Sequence, residues 1–297
     1  MAEETTIARA AELHGIGLHT GAAVRLELLP ASAGAGVTFV RTDLPDCPKI
    51  EASLENLHFR PRRTVLARGG AEVNTTEHLL SALAGSGVRN VEVRLDGPEL
   101  PGLDGSAQPY LEAILGAGVA PQGLPAPELT VTEPIVLSEN GAFLAAVPEP
   151  QGGFRVSYTL DYRQFRTDGA AVPPSLEALL TQHLDFLLDP TVYAREIAPA
   201  RTFVFEDEVR ALRAANLGMG ANSKNTVVLG REGIVDNELR FRDEFVRHKV
   251  LDLLGDLYLL GVVPSCRVVA LKSGHALNVK LALKIQGQLH SMRSRDN

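Results

Sequence analysis

A histidine and an aspartate lie four residues apart in the segment Phe-Val-Arg-His-Lys-Val-Leu-Asp, where they are His248 and Asp252. On the helix that the apolar pattern predicts, this spacing places both side chains on one face. Such a pair can bind one cation, and a second histidine would complete the ligand set of an open catalytic zinc site. The alternative is a surface ion pair that contributes roughly a few tenths of a kcal/mol. Apolar neighbours such as Leu251 and Leu253 favour burial and therefore a functional site.

A candidate for the second histidine is His78, in Asn74-Thr-Thr-Glu-His78 at the start of another predicted helix. His78 would face His248 across the junction of the two halves of the chain, and Glu77 would then be the base that deprotonates a metal-bound water. A structural interpretation competes with this one. Asn74 followed three residues later by Glu77 fits a capping box, in which Glu77 only satisfies a backbone donor. The local sequence alone favours the cap.

A third histidine, His275, lies at a predicted strand-to-helix turn in Lys272-Ser-Gly-His-Ala-Leu-Asn278. Gly274 permits a tight turn there. From such a turn His275 would act as a general acid or stabilise a developing oxyanion. The alternative is a histidine at a helix N-terminus without a chemical role. The first half of the chain has a comparable loop, Leu103-Asp-Gly-Ser106.

Motifs of several other enzyme classes are absent from the sequence. There is no Gly-x-Ser-x-Gly, P-loop, His-Glu-x-x-His or EF-hand motif, and Gly15-Ile-Gly17 lacks the spacing of a dinucleotide fingerprint. Cys47 and Cys266 are far apart, which indicates neither a disulfide framework nor a thiolate metal site. A metal-activated water is the chemistry that remains.

The composition is that of a soluble globular protein: of 297 residues, 45% are hydrophobic and 22% are charged. The net charge of -7 excludes a general nucleic-acid-binding surface. The N-terminus does not resemble a secretory signal. The most apolar stretch, residues 250–263, is too short and too charged to span a bilayer. We therefore expect a cytoplasmic protein with no integral membrane segment and no nucleic-acid partner.

Hydrophobic periodicity predicts a similar order of elements in both halves of the chain: strands, a helix, a strand and a second helix. In the first half the strands are predicted near 24–28, 37–40 and 91–95, and the helices near 74–84 and 107–115. In the second half the strands are predicted near 129–137, 143–147, 154–160 and 267–271, and the helices near 242–260 and 276–286. The shared order suggests two copies of one α+β unit.

Three prolines and a glycine between residues 120 and 128 predict a linker between these units. We place a first α+β domain at 1–120, the linker at 121–128 and a second α+β domain at 129–297. The second domain is longer, and a strand, a short helix and a glycine-containing return predict a βαβ insert near 198–222. An insert of this kind usually lies over a functional site.

Several motifs occur along the chain in a recognisable order. They are Gly15-Ile-Gly-Leu-His-Thr-Gly21, Thr76-Glu-His78, Leu103-Asp-Gly-Ser106, Ala200-Arg-Thr-Phe203, Arg242-Asp-Glu-Phe-Val-Arg-His-Lys249 with Asp252, Gly255 and Asp256, and Ser273-Gly-His-Ala-Leu-Asn278. In these motifs the chain resembles, nearly end to end, the UDP-3-O-acyl-N-acetylglucosamine deacetylases, the zinc amidases of the committed step of lipid A synthesis. The resemblance implies two similar domains, each a β-sheet packed on a two-helix layer, with the active site at their junction.

The resemblance also implies the role of each site residue. Zinc would be bound by His78, His248 and Asp252. Glu77 would be the general base, and His275 the general acid and oxyanion partner. Thr202 would help to polarise the amide carbonyl, and Asp256 would orient His275 or another residue beside the metal. The implied substrate contacts are Phe203 and Lys249, with the sugar and diphosphate, and His19.

The implied substrate is a UDP-sugar that carries an acyl chain, and the product would be acetate. In the family the insert forms an apolar passage for the acyl chain, which here would be lined by Phe203, Phe205, Val209, Leu212, Leu217 and Met219. We expect a monomer. Two alternatives remain open: a zinc amidohydrolase that acts on another acylated amino sugar, and a metal-free homologue that binds a nucleotide sugar or a lipid.

Overall fold

The computed structural model describes residues 3–163 and 174–293 and has an α+β fold, as predicted. The strands are β1 (Glu3–Ile7), β2 (Ala11–Ile16), β3 (Ala23–Pro30), β4 (Val37–Arg41), β5 (Lys49–Glu51), β6 (Leu57–Arg60), β7 (Arg63–Arg68), β8 (Ala71–Asn74), β9 (Val91–Leu95), β10 (Val119–Pro125), β11 (Ile135–Glu139), β12 (Ala142–Val147), β13 (Phe154–Asp161), β14 (Thr181–Leu187), β15 (Phe203–Phe205), β16 (Val227–Leu229), β17 (Ile234–Val235) and β18 (Cys266–Leu271). The helices are α1 (Glu77–Ser86), α2 (Gln108–Ala117), α3 (Pro174–Leu180), α4 (Pro190–Glu196), α5 (Glu206–Ala214), α6 (Glu244–Leu257) and α7 (His275–Arg293).

Two five-stranded sheets have the same internal order. One is β2-β3-β9-β4-β5 and the other is β11-β12-β18-β13-β14. In both, the neighbours are antiparallel except for one parallel pair, β4 with β9 and β13 with β18. Apolar and polar residues alternate along the central strands, so that each sheet has one face in the core.

A layer of four helices lies against these sheets. Helix α1 packs on α2 and on α6, and α6 packs in turn on α7. Helix α2 contacts β2 of the first sheet, whereas α6 and α7 contact strands of the second. The contact between α1 and α6 therefore brings together elements that are far apart in the chain, and it is the contact that builds the site.

The predicted linker is largely a strand. Residues 119–125 form β10, which pairs antiparallel with β1. The pairing includes Pro121 and Pro125, which lack an amide donor but are tolerated because both strands of a two-stranded sheet are edge strands. The high proline content of this segment therefore marks an edge strand rather than an irregular connection.

The insert extends further than the sequence indicated. Strand β15 pairs in parallel with β16, and β16 pairs antiparallel with β17. The return strand therefore lies at 227–229, after a loop that contains Gly218 and Gly220, and not before residue 222. Residues 164–173, which belong to the longer second half, lie outside the described residues. Across the described ranges, no helix combines the length and the apolar character needed to cross a bilayer.

Candidate functional site

Helix α1 begins from a strained backbone. Thr75 has a φ of 59°, which is unfavourable for a β-branched residue. Its hydroxyl donates to Glu99 Oε1 at 2.8 Å. The other oxygen of this carboxylate accepts from the amide and the hydroxyl of Thr20, each at 2.7 Å. Glu99 is 1% exposed, so a buried carboxylate fixes the turn that leads into Glu77 and His78.

The predicted capping box at this helix is wrong. The N-cap residue is Thr76, and its side chain forms no capping hydrogen bond. The Asn74 side chain instead accepts from Arg63 Nε and donates to the Pro98 carbonyl, each at 2.9 Å. Glu77 Oε2 accepts from the amide of Thr64 at 3.0 Å. Glu77 is therefore not used as a cap.

Helix α6 comes close to the start of α1 because it carries a glycine at the contact. A Cβ atom on Gly255 would lie 2.1 Å from the carbonyl oxygen of Glu77. Only a residue without a side chain permits this approach. The first turn of α1 thus lies directly against the face of α6 that carries His248 and Asp252.

Three side chains converge at this contact: His78, His248 and Asp252. Asp252 Oδ1 lies 3.4 Å from His248 Nε2 and 3.9 Å from His78 Nε2. One ligand atom from each residue lies within 4.8 Å of the other two. Ligand atoms of a tetrahedral zinc ion are roughly 3.4 Å apart. The three residues can therefore bind a metal ion, with room for a further ligand.

The protonation of these groups suits a cation. The imidazole Nδ1 of His248 lies 3.0 Å from the carbonyl oxygen of Ala200, so that this nitrogen donates and Nε2 is left with its lone pair. Burial, with the neighbouring His248, lowers the pKa of His78 to about 3. Burial acts to raise the pKa of Asp252, but Lys249 and the histidines outweigh it and hold that pKa below its usual range. The set is two neutral imidazoles and one carboxylate.

Glu77 is a carboxyl group that exchanges its proton near neutral pH. Burial, reinforced by the charges of Asp252 and Asp256, raises the pKa of Glu77 to about 8, although His275 acts in the opposite direction. The side chain also lines the cavity beside the three candidate ligands. Such a group can act as a general base.

His275 is held by Asp256 from α6. His275 Nδ1 lies 2.8 Å from Asp256 Oδ2, which also accepts from Asn278 Nδ2 at 2.9 Å. Burial alone would lower the pKa of His275, but the charges of Asp256 and Asp252 raise it to about 9. His275 Nε2 lies 3.8 Å from Asp252 Oδ2. A protonated imidazole is therefore positioned next to the candidate metal ligands.

Thr202 is held at the site by the loop that includes Gly105. The amide of Thr202 donates to the Gly105 carbonyl at 2.8 Å. Gly105 has a φ of 83°, and a Cβ atom there would lie 1.8 Å from the carbonyl oxygen of Asn225. The loop from 103 to 106 therefore requires a glycine, and it holds Thr202, which lines the same cavity as the three candidate ligands.

The remaining predicted residues also surround the site. Phe203 packs on Phe245, with ring centroids 4.4 Å apart. Lys249 is buried, and its Nζ is 2.9 Å from Asp252 Oδ2. His19 lines the cavity, and its Nδ1 is buried with no hydrogen-bond partner among the described residues. Burial lowers the pKa of His19 to about 4.

Two cavities meet at these residues. The first, of about 310 Å³, has an apolar wall from the insert: Phe203, Val204, Val209, Leu212, Leu217 and Val228. Phe205 and Met219, which were predicted to line it, do not. The second, of about 540 Å³, has a charged wall that contains the basic residues Arg60, Arg62, Lys249 and Lys272 and the carboxylates of Glu139, Glu208 and Asp252. Both cavities are lined by Thr202, Phe203, His248, Asp252 and His275.

Sequence patterns did not reveal Glu99 and Thr64. Glu99 stands in Asp96-Gly-Pro-Glu-Leu-Pro-Gly102, where an acidic residue among turn formers is a weak signal. Thr64 lies in an ordinary strand and has no local signal. Its contacts, with Glu77 and Asp256, come from elements distant in the sequence.

Comparison with known proteins decides the family. A family model described as UDP-3-O-acyl N-acetylglycosamine deacetylase matches residues 4–287. The chain belongs to this family. The assignment to UDP-3-O-acyl N-acetylglycosamine deacetylases confirms the resemblance that was inferred from the motifs.

Relatives in the deacetylase family are similar over nearly their whole length. The UDP-3-O-acyl-N-acetylglucosamine deacetylase of Thermosynechococcus vestitus is 42% identical over 285 residues, which cover 96% of this chain and 94% of that protein. The protein of the same name from Myxococcus xanthus is 41% identical, over 95% of this chain and 86% of its own. The one from Trichormus variabilis is 39% identical, over 95% and 98%.

Proposed function

We propose that this protein hydrolyses the N-acetyl group of a UDP-3-O-acyl-N-acetylglucosamine and releases acetate, the committed step of lipid A biosynthesis. Its relatives of that name align over nearly the whole chain. The observation that carries the proposal is the convergence of His78, His248 and Asp252 with Glu77 and His275, where a cavity with an apolar wall meets a cavity with a charged wall.

We propose zinc as the metal, bound by His78, His248 and Asp252. Two neutral imidazoles and one carboxylate are a ligand set typical of catalytic zinc, which keeps one position open. Zinc bound there would supply a Lewis acid that polarises a carbonyl and lowers the pKa of water toward about 7. Lys249 keeps Asp252 ionised through their 2.9 Å ion pair, and this favours cation binding at any pH above the acidic range.

Glu77 is the proposed general base. Its pKa, raised to about 8 by burial, is close to the value at which a base both accepts and releases a proton readily. The carboxylate takes a proton from the water that attacks the acetamide carbonyl. The amide of Thr64, bound to Oε2, fixes the orientation of the group during this step.

His275 and Thr202 act on the carbonyl oxygen of the substrate, and His275 also acts on the leaving amine. Protonated His275, held by Asp256, stabilises the negative charge that develops on the carbonyl oxygen and donates a proton to the leaving amine. The hydroxyl of Thr202 donates to the same oxygen. Asp256 does not contact substrate in this scheme, and its role is to orient His275 and keep it charged.

The two cavities correspond to the two ends of the proposed substrate. The apolar walls of the first would accommodate the acyl chain. The second, with its four basic residues, would take the uridine diphosphate. Phe203 lines both cavities and Lys249 lines the second, so that they would contact the sugar ring and the diphosphate. His19 would contact the substrate from the loop at 17–20.

We further propose that the chain consists of two similar domains with the site at their junction. The identical order of the two sheets supports this division. Because β10 pairs with β1, the boundary would fall after residue 125. The cytoplasmic location, the monomeric state and the zinc identity remain predictions.

Two alternative functions are separable by experiment. A metal-free binding homologue would have no reason to keep two neutral imidazoles, an ionised carboxylate and a base of raised pKa at one point. A deacetylase of another acylated amino sugar would share the metal site. Such an enzyme would not need the basic residues of the second cavity to bind a diphosphate. Acetate release from substrates with and without the UDP group distinguishes the two functions.

The variant Glu77→Gln tests the proposed base. The amide cannot accept a proton, and we expect kcat for acetate release to fall roughly 100-fold or more. The zinc content should remain at the wild-type level, since Glu77 is not a ligand in this scheme. Both quantities are measured on the same preparation, by product analysis and by elemental analysis.

The matched control is Glu112→Gln, an exposed residue of α2 that should leave both quantities unchanged. A Glu77→Gln protein that contains zinc and turns over at the wild-type rate would show that Glu77 is not the base.

A further inference from the structure

One buried threonine, Thr64, contacts both the proposed general base and the carboxylate that holds the proposed general acid. The amide of Thr64 donates to Glu77 Oε2 at 3.0 Å. Its hydroxyl donates to Asp256 Oδ1 in a short hydrogen bond and lies 3.4 Å from His275 Nδ1. Thr64 therefore links Glu77 of α1 to Asp256 of α6 and His275 of α7.

The surroundings of Thr64 hold it rigidly. The residue is 2% exposed and belongs to β7, which is paired with both β6 and β8. Its carbonyl accepts from the amide of Thr76 at 3.3 Å and from the hydroxyl of the same residue at 3.4 Å. Every polar group of Thr64 is thus hydrogen-bonded, and all of its partners are at or next to the site.

The Thr64 hydroxyl donates a hydrogen bond to the carboxylate of Asp256, which has no access to solvent. Asp256 is 0% exposed, and its Oδ2 already accepts from His275 and Asn278. Without the Thr64 hydroxyl, Oδ1 would lose a charge-assisted hydrogen bond in a buried environment, which favours rotation of the carboxylate away from His275. Thr64 is not among the residues that line the two cavities, so that this effect does not need contact with the substrate.

We propose that Thr64 is a positioning residue that sets the distance and orientation between the general base Glu77 and the general acid His275. The backbone amide fixes the base, and the hydroxyl fixes Asp256 and through it the acid. The inference rests on the proposed deacetylation, and it adds a residue that acts through two others without touching the substrate.

The test compares Thr64→Val, which keeps the shape and the backbone amide but removes the hydroxyl, with Thr64→Ser, which keeps the hydroxyl. We expect Thr64→Val to lower kcat about tenfold to a hundredfold, with KM changed less than about twofold because the substrate cavities are intact. Thr64→Ser should recover most of kcat. The zinc content should be equal in all three proteins.

The matched control is Thr6→Val, which removes a buried hydroxyl that is hydrogen-bonded to Asn90 and Ala31, outside the site. This variant reports the general cost of losing a buried hydroxyl and should retain wild-type kcat. A Thr64→Val protein with wild-type kcat, or a Thr64→Ser protein as impaired as Thr64→Val, would overturn the inference.

A second readout does not depend on activity. The imidazole ¹⁵N resonances of His275, in zinc-loaded protein, report the hydrogen bond from Nδ1 to Asp256. They should shift in Thr64→Val but not in Thr6→Val, and unchanged resonances in Thr64→Val would overturn the inference. If wild-type protein releases no acetate, the proposed function fails, and these resonances still decide whether Thr64 positions His275.

Discussion

At the scale of single residues, two neighbouring buried carboxyl groups have opposite pKa shifts. Burial raises the pKa of Glu77 to about 8. Burial acts in the same direction on Asp252, but Lys249 at 2.9 Å and the histidines around it hold the pKa of Asp252 below its usual range. The contact with a lysine therefore separates a permanent anion, suited to a metal, from a group that exchanges protons, suited to catalysis.

These shifts predict a bell-shaped dependence of kcat/KM on pH. Glu77 must lose its proton to act as a base, so that the rate rises with pH through its pKa. A bound dication lowers that pKa, which places the rising limb below about pH 8. His275 must keep its proton, so that the rate falls as pH rises through its pKa, which the same dication places below about 9. Initial rates of acetate release across this range measure both limbs.

The variant His275→Gln assigns the falling limb. The residual activity of this protein should show no decrease at high pH, since glutamine does not titrate. His183→Gln, at an exposed histidine of β14, should leave the profile unchanged. A decrease at high pH that persists in His275→Gln would assign that limb to another group.

Sequence spacing predicted the part of the candidate site that lies on a single helix, α6. Because residues four apart lie on the same face of a helix, the interval between His248 and Asp252 places both side chains together once the segment is helical. For Glu77 the local pattern favoured a cap, and the preference was wrong because Asn74 binds Arg63 and Pro98 instead. Thr64 could not have been predicted, because its partners come from distant elements.

At the scale of elements, the site depends on how closely α1 and α6 approach. Gly255 lies where a side chain would meet the backbone of Glu77. Helix α6 contacts the backbone carbonyl oxygen of Glu77, the first residue of α1. A side chain at position 255 would therefore displace Glu77. Gly255 therefore permits the close contact between α6 and α1, although glycine is a poor helix former.

We predict that Gly255→Ala destabilises the protein by roughly 1–3 kcal/mol, because the added methyl group overlaps a backbone atom. It should also lower kcat by displacing Glu77. The matched control is Gly116→Ala in α2, where a Cβ atom meets nothing within 4 Å. That change should stabilise by up to about 1 kcal/mol through helix propensity. Urea unfolding of both variants measures the difference, and equal free energies of unfolding would contradict this account of the contact.

Element bounds were predicted best where a single strand has a clear apolar pattern. Strand β9, Val91–Leu95, has the predicted limits. Helix α1 begins at Glu77 rather than near Asn74, because the left-handed Thr75 separates it from β8. That conformation is held by Glu99, through a contact across the fold, and no local pattern reports it.

At the scale of the whole molecule, two sheets of the same order are joined through the α1–α6 contact. The candidate ligand set needs both halves, since His78 comes from α1 and the other two ligands from α6. The repeated order of elements was readable from hydrophobic periodicity, which supported the idea of two similar units. The pairing of β10 with β1 was not readable, because a proline-rich segment is typical of linkers as well as of edge strands.

The most direct measurement is acetate release from a UDP-3-O-acyl-N-acetylglucosamine by one preparation before and after removal of its metal. We predict that the chelated protein releases no acetate above background. Addition of one equivalent of zinc should restore the rate, and Asp252→Ala should not respond to zinc. Acetate release at an unchanged rate by protein shown to be free of metal would contradict the account.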